Sequence, residues 1–432
     1  MMKRKRLTPQ LMLGTKDQLD YYPFTDSGGN KLKSNEILFC FEEESEKQMV
    51  EIWGEEEEKQ EVLTIDSPNV SYVFDESGNF PIALRTEDGS YASLKKSAKT
   101  GEILPYHAGC CALKSLIAVG PSASAKTVYT LQLTDPSFHD ALAGGTELSL
   151  EDDLPPQAPG KQKYEKERDE FKSKILPEPS RCKDTINFFY YVRYGGKSIL
   201  LKIEDIDGEH CLKTKLDSKI FNSNYLILTV GADELMASKR GEEVIYPKVL
   251  DGILPKLRVL RDKKDYEILV MITKSDCLDP EHPFLKDAYE NSICVNDGRV
   301  EQITHMNGFN YEAFQKRSRC VQHYLKKECP NFYNKLTNNV SEEKLTFCMI
   351  ASVGEECVDN HFENYKPFCI DEPILSILTR AGMYPVACSD STYHSEKVMG
   401  YSKNGILGSC KKIFNSIVDT IVLENDWEEE ES

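Results

Sequence analysis

The stretch Leu116 to Leu133, LIAVGPSASAKTVYTLQL, constrains this chain more than any other. Its opening run Leu116-Ile117-Ala118-Val119 is wholly apolar, as a parallel strand buried on both faces requires. Gly120-Pro121 ends the run, and a helical pattern starts at Lys126 with Val128, Leu131 and Gln132. Between them, GPSASAKT differs from G-x-x-x-x-G-K-[ST] at one position. In a loop of that pattern, backbone N–H groups and the helix N-terminus face phosphate oxygens, the lysine reaches the outer phosphates and the hydroxyl binds Mg²⁺. Gly120, Lys126 and Thr127 fit, while Ala125 stands at the second glycine. Taken alone, an ordinary strand–turn–helix is an equal reading of this stretch.

Composition narrows the setting. A chain of 432 residues with 40% apolar and 29% charged residues is that of a globular protein of two or three domains. A net charge of −18 repels polyphosphate backbones, so neither nucleic acid nor an anionic membrane is expected as a general partner. The start, MMKRKRLTPQLMLG, lacks the apolar run of a signal peptide, and no stretch reaches transmembrane length. Fourteen cysteines without regular spacing fit reduced thiols, and the expected location is cytoplasmic.

Residues 1–112 read as a separate β-rich module, because its short apolar segments (Ile37–Cys40, Val70–Phe74) are broken by turn signals such as Asp88-Gly89. Cys40, His107, Cys110 and Cys111 are its only zinc-like set. Without a Cys-x-x-Cys pair, and with Cys110 and Cys111 adjacent, Zn²⁺ is not expected. From Leu116 onward strand and helix patterns alternate, which favours a largely parallel α/β sheet. Residues 151–184 read as an exposed insertion with a charged helix at 162–174. Two β runs, Ile186–Arg193 and Ser198–Glu204, flank Tyr194-Gly195-Gly196 as a hairpin. Further strands are expected at Tyr225–Val230, Ile268–Thr273 and Leu345–Ala351, and a helix at Tyr311–Lys327 before Pro330. Asp371-Glu372-Pro373 starts a helix that Gly382 stops, a last amphipathic helix lies within 401–424, and 425–432 is an acidic tail.

Three more signals follow the first in chain order. The second hairpin strand ends in Asp205-Ile206-Asp207-Gly208, a D-x-x-G. An Asp there can hold the water shell of a magnesium ion, and the glycine N–H can meet a γ-phosphate. The strand Ile268–Ile272 runs into Thr273-Lys274-Ser275-Asp276, a [NT]-K-x-D. Its carboxylate can accept the N1–H and exocyclic amine of guanine, a pair that adenine lacks. The Leu345–Ala351 strand ends in Ala351-Ser352, where a backbone N–H can reach the guanine carbonyl. Strand ends on one edge are where open parallel sheets bind ligands.

With these residues the chain resembles the TRAFAC-class P-loop GTPases, and more closely bacterial double-GTPase-type proteins with a cysteine-containing module ahead of the G domain. VGPSASAKTVY, the INFFYYV–YGG–SILLKIED hairpin, MITKSD and FCIDEPILSILTRAG carry the resemblance, over roughly 116–385. It implies an α/β P-loop NTPase sheet, largely parallel with one antiparallel hairpin and helices on both faces, spanning 113–400. The small module before it would be a degenerate zinc-ribbon-like unit. It also implies GTP or GDP with Mg²⁺ as ligands, and a switch role among other proteins of a bacterial system, defence included.

Residue by residue, Gly120, Ser124, Ala125 and Lys126 would bind phosphate, with Lys126 on the β- and γ-phosphates. Thr127 and Asp205 would hold the metal, Gly208 would sense the γ-phosphate, and Thr273, Lys274, Asp276 and Ser352 would bind guanine. Thr185 is the candidate switch threonine on the metal, with Ser180 as its competitor. Glu209 stands where a water-orienting residue is needed, although a carboxylate beside a negative γ-phosphate is a poorer choice and a Glu209-His210 pair facing solvent is the favoured reading. Alanines 123 and 125 replace glycines usual in such relatives. One crowding methyl costs about 1–3 kcal/mol, roughly 5- to 150-fold in affinity. The expectation is therefore a GTPase with slow or partner-stimulated hydrolysis, and the alternative a pseudo-GTPase scaffold.

Overall fold

The computed structural model describes residues 12–41, 62–75, 80–121, 124–133, 146–151, 161–177, 186–207, 220–260, 266–286, 308–354, 357, 360–363 and 367–387. The expected helix within 401–424 and the acidic tail lie outside them.

Two sheets organise these residues. The first is antiparallel and small: β1 (Met12–Gly14), β2 (Ile37–Phe41), β3 (Ser71–Phe74), β4 (Ala83–Arg85) and β5 (Tyr91–Ser97), in the order β1-β3-β4-β5-β2. Gly89, at φ +91, makes the tight turn between β4 and β5. The second sheet has seven strands: β6 (Ala112–Gly120), β7 (Thr146–Leu150), β8 (Ile186–Tyr194), β9 (Lys197–Asp207), β10 (Tyr225–Gly231), β11 (Ile268–Thr273) and β12 (Leu345–Met349). Their order is β12-β11-β10-β6-β9-β8-β7. β6, β9, β10, β11 and β12 run parallel, while β8 is antiparallel to both β9 and β7. Tyr194 pairs with Lys197 across Gly195 and Gly196, which sit at φ +58 and +75. A two-residue turn with both φ positive matches the twist of the strands it joins.

Among the described residues, seven helices connect or pack on this sheet: α1 (Lys126–Leu133), α2 (Lys161–Lys172), α3 (Ala232–Lys239), α4 (Tyr246–Leu257), α5 (Tyr311–Glu328), α6 (Pro330–Thr337) and α7 (Glu372–Arg380). Pro330 does more than end α5; it takes the first position of α6, where its missing N–H costs nothing. Asp371 does not cap α7 as its composition predicts, because its own backbone is already helical and its side chain makes no cap hydrogen bond. Gly382, at φ +70, does end that helix, and the next residue returns a hydrogen bond from Met383 N to Leu378 O at 2.8 Å.

The hairpin β8–β9 serves two cores, because successive side chains of a strand face opposite ways. Phe188, Tyr190, Val192, Leu201 and Ile203 join the core of the large sheet. Tyr191 and Leu200 belong instead to the core of the small sheet, with Ile37, Phe39, Phe80, Ile82 and Leu84. The Phe24 and Phe189 rings lie 6.2 Å apart across the same boundary.

The strand order places the polar loops. After β6 the chain builds β9 on one side and β10 on the other. At such a reversal the loops leave the carboxyl ends of the strands in opposite directions and open a crevice. Register shows which residues share that edge: Gly120 lies opposite Asp207, and Gly231 opposite Thr273.

Candidate functional site

The loop after β6 is shaped by its neighbours. A Cβ on Gly120 would fall 1.9 Å from Thr229 Oγ1 and 2.4 Å from the Thr229 carbonyl oxygen. β10 therefore approaches too closely for any residue but glycine. Ser124 Oγ lies 2.8 Å from Thr229 Oγ1, tying the loop to the same strand. Ala125 sits at φ +56, the left-handed region that costs an L-residue about 1–2 kcal/mol and that glycine enters freely. The loop thus takes the backbone form of a glycine at this position while carrying a methyl group.

Lys126 is buried and folds back over the loop. Its Nζ donates to the Gly120 carbonyl (2.9 Å), the Pro121 carbonyl (2.7 Å) and Ser124 Oγ (3.2 Å). Thr127 Oγ1 donates to Asp205 Oδ2 at 3.1 Å, so the first turn of α1 is bonded to the end of β9. A hydroxyl and a carboxylate held together in this way are oxygen donors suited to a hard divalent cation, which keeps water and takes few protein ligands.

Two strands away, the turn after β11 is equally ordered. Thr273 is fully buried and its hydroxyl donates to Val230 O at 3.2 Å. Lys274 adopts φ +53, ψ +40, and its ammonium lies 2.6 Å from Asp233 Oδ2 in the first turn of α3. Ser275 N donates to Ile350 O at 3.0 Å, which ties the turn to the end of β12. Asp276 reaches solvent, yet partial burial pushes its carboxyl above the ordinary value, helped by Asp233 and opposed by Lys274. Ser352 follows the bridged pair Ala351–Phe368 and is 5% exposed. Its carbonyl accepts a hydrogen bond from Nε2 of Gln132 in α1.

The structure therefore brings Gly120, Ser124, Ala125, Lys126, Thr127, Asp205, Thr273, Lys274, Asp276 and Ser352 to one edge of one sheet. Thr185, Gly208 and Glu209, with Ser180, His210 and Ala123, lie outside the described residues. Sequence reading missed Asp233, Glu234, Thr229 and Gln132. Glu234 is half-buried, and burial raises its pKa, with Asp233 adding to the rise; both Lys274 and Lys126 pull it down. Its carboxylate thus feels the lysines of both halves. The available signal was position, since Asp233-Glu234 follows the end of β10 after one residue, Ala232, as Lys274 follows β11.

His107 and the cysteines near it form no zinc set. Both ring nitrogens of His107 are taken by carboxylates: Nε2 lies 3.2 Å from Asp75 Oδ2, and Nδ1 is bonded to Glu151. The ring stacks on Tyr191 with centroids 3.8 Å apart. Cys110 Sγ faces the Phe80 carbonyl at 3.3 Å and lies 3.5 Å from the buried ammonium of Lys95. Burial pushes the Cys110 thiol up to about 11, away from the thiolate a metal needs. Among the described residues no group of three or more His, Cys, Asp or Glu side chains is placed to hold a metal, and no helix is long and apolar enough to cross a membrane.

These features define an α/β protein with a mixed, mostly parallel seven-stranded sheet, a separate small antiparallel sheet, and a polar site at the large sheet's carboxyl edge. No protein-family model matches the chain, and a search of curated proteins finds no relative for it.

Proposed function

We propose that the chain is a guanine-nucleotide-binding protein of the P-loop GTPase kind, resembling the TRAFAC class. It would act as a switch among other proteins of a bacterial system, and any hydrolysis would be slow or partner-stimulated. The observation that carries this reading is the meeting of two sets at one sheet edge: Lys126 and Thr127 bonded against β6 and Asp205, and the Lys274–Asp276 turn two strands away.

Each residue has a part in that reading. The loop carbonyls that hold Lys126 are neutral acceptors, so a phosphate oxyanion competes well for the ammonium through stronger, charge-assisted bonds. The N-terminus of α1 adds backbone N–H groups and the positive end of its dipole. Thr127 and Asp205 would hold Mg²⁺, which supplies charge neutralisation for the phosphates when bound. Asp276 would accept the paired donors of guanine, while the stem of Lys274, steadied by Asp233, would cover one face of the base.

The second reading, a scaffold with little nucleotide affinity, is favoured by one specific observation, the methyl of Ala125 inside the loop at φ +56. Replacing Asp276 decides on base recognition. Asp276→Asn should weaken GTP binding by about 1.5–3 kcal/mol, or roughly 10- to 150-fold, through loss of a charged acceptor. It should improve binding of xanthosine triphosphate in the same competition assay. ATP competing as well as GTP in the unmodified protein would overturn the assignment of Asp276.

A further inference from the structure

Gln132 has no place in the reading above, yet it joins the two halves of the site. It lies six residues after Lys126, about 9 Å further along the helix at 1.5 Å per residue. The residue is 3% exposed, and its Nε2 donates to the carbonyl of Ser352. Both ends of this bond matter. α1 begins at Lys126, the residue that grips the loop, and its first turn is fixed to β9 through Thr127. The segment after β12 is fixed by Ile350 N to Ile272 O at 2.8 Å and by Ser275 N to Ile350 O at 3.0 Å, so it carries the Lys274–Asp276 turn with it. In sheet order β10 and β11 separate β6 from β12. The Gln132 amide reaches across that gap with a buried hydrogen bond to the Ser352 carbonyl.

We infer that Gln132 is a positioning residue that fixes the distance between the phosphate-binding loop and the base-binding turn. It thereby sets the preference for a guanine nucleotide over other phosphates. The inference rests on the nucleotide reading of the site. A base and a triphosphate are joined covalently, so they bind together only when their two subsites are correctly spaced; phosphate alone has no such requirement. Gln132 touches neither ligand and acts through the Ser352 backbone, which the tested variants leave unaltered.

The test uses the full chain and two near-isosteric variants, Gln132→Glu, which turns the donor into a repelling acceptor, and Gln132→Met, which removes polarity. GTP, ATP and inorganic tripolyphosphate are titrated with Mg²⁺ by calorimetry, and thermal unfolding is followed alongside. Both variants should bind GTP about 10-fold more weakly, the scale of one lost buried hydrogen bond. Tripolyphosphate affinity should stay at the wild-type value, and the GTP-to-ATP preference should narrow. A lower unfolding temperature with an unchanged GTP-to-ATP ratio, or GTP and tripolyphosphate weakening together, would overturn the inference while the site reading stands. Wild-type protein that binds tripolyphosphate but shows no preference for GTP would overturn both.

Discussion

Two cations of this molecule, His107 largely buried and Lys126 buried, are held in different ways. His107 sits between Asp75 of the small-sheet region and Glu151 beyond β7, stacked on Tyr191 of β8. Burial alone would lower its pKa, but the charges and hydrogen bonds of Glu151 and Asp75 outweigh it and push the imidazole up to about 9. Lys126 rests on two backbone carbonyls and a serine hydroxyl of its own loop. The first cation is matched by carboxylates drawn from distant parts of the chain, so it fastens one sheet to the other. The second is held by neutral oxygens of its own short loop, which an anion can replace, and it also feels the Glu234 carboxylate.

The largest effect should come from breaking the first arrangement. His107→Ala leaves two nearly buried carboxylates facing each other, and removing one partner of a buried ionic group costs about 3–5 kcal/mol. Urea unfolding should register that loss, with nucleotide affinity per folded molecule unchanged. The same cluster predicts a pH dependence. A folded-state pKa raised above the ordinary 6.5 gives stability that is complete below about pH 6.5 and lost as pH rises through about 9. The facing groups are Asp75, Glu151, Tyr106 and Tyr191, and burial drives the Tyr191 phenol well above its usual range, so it stays neutral throughout. Unfolding midpoints measured from pH 6 to 10 should fall in the wild type and stay flatter in His107→Ala.

Lys126→Ala should show the converse pattern. It removes the proposed phosphate partner, which should cost about 1.5–3 kcal/mol in GTP binding, the worth of a hydrogen bond to a charged group. Unfolding free energy should change by less, because the acceptors it leaves behind are neutral rather than facing carboxylates. A stability loss matching that of His107→Ala would erase the distinction between the two cations.

The smallest expected effect belongs to Ala125→Gly. Since the alanine already occupies φ +56, glycine relieves strain in the folded loop while loosening the unfolded chain, for a net stabilisation of about 0.5–1 kcal/mol. GTP binding should tighten beyond that if the methyl crowds phosphate. Equal affinities in the two proteins would favour the scaffold reading.

What could be read from the sequence was local. The strand–loop–helix at 116–133, the Gly195-Gly196 hairpin and the Gly382 stop each follow from backbone preferences of neighbouring residues, and all appear in the fold. β7 was missed because Thr146–Leu150 is a five-residue, half-exposed edge strand with too few apolar positions to signal itself. The Asp371 cap failed because the helical backbone begins one residue earlier than its composition implies. The His107 clamp and the Lys274–Asp233 pair join residues 44 and 41 positions apart, and composition cannot foresee which carboxylate folds beside which cation. The candidate site was legible only where its chemistry lay in contiguous turns.

Guanine-nucleotide binding at the edge holding Lys126 and Asp276 is the reading proposed above. Equilibrium titration of the full chain with a fluorescent GTP analogue, with and without Mg²⁺ and with unlabelled GTP or ATP as competitor, tests it directly. Saturable binding, strengthened by Mg²⁺ and displaced by GTP far better than by ATP, is the expected result. Absence of binding, or displacement by ATP at the same concentration as GTP, would contradict it.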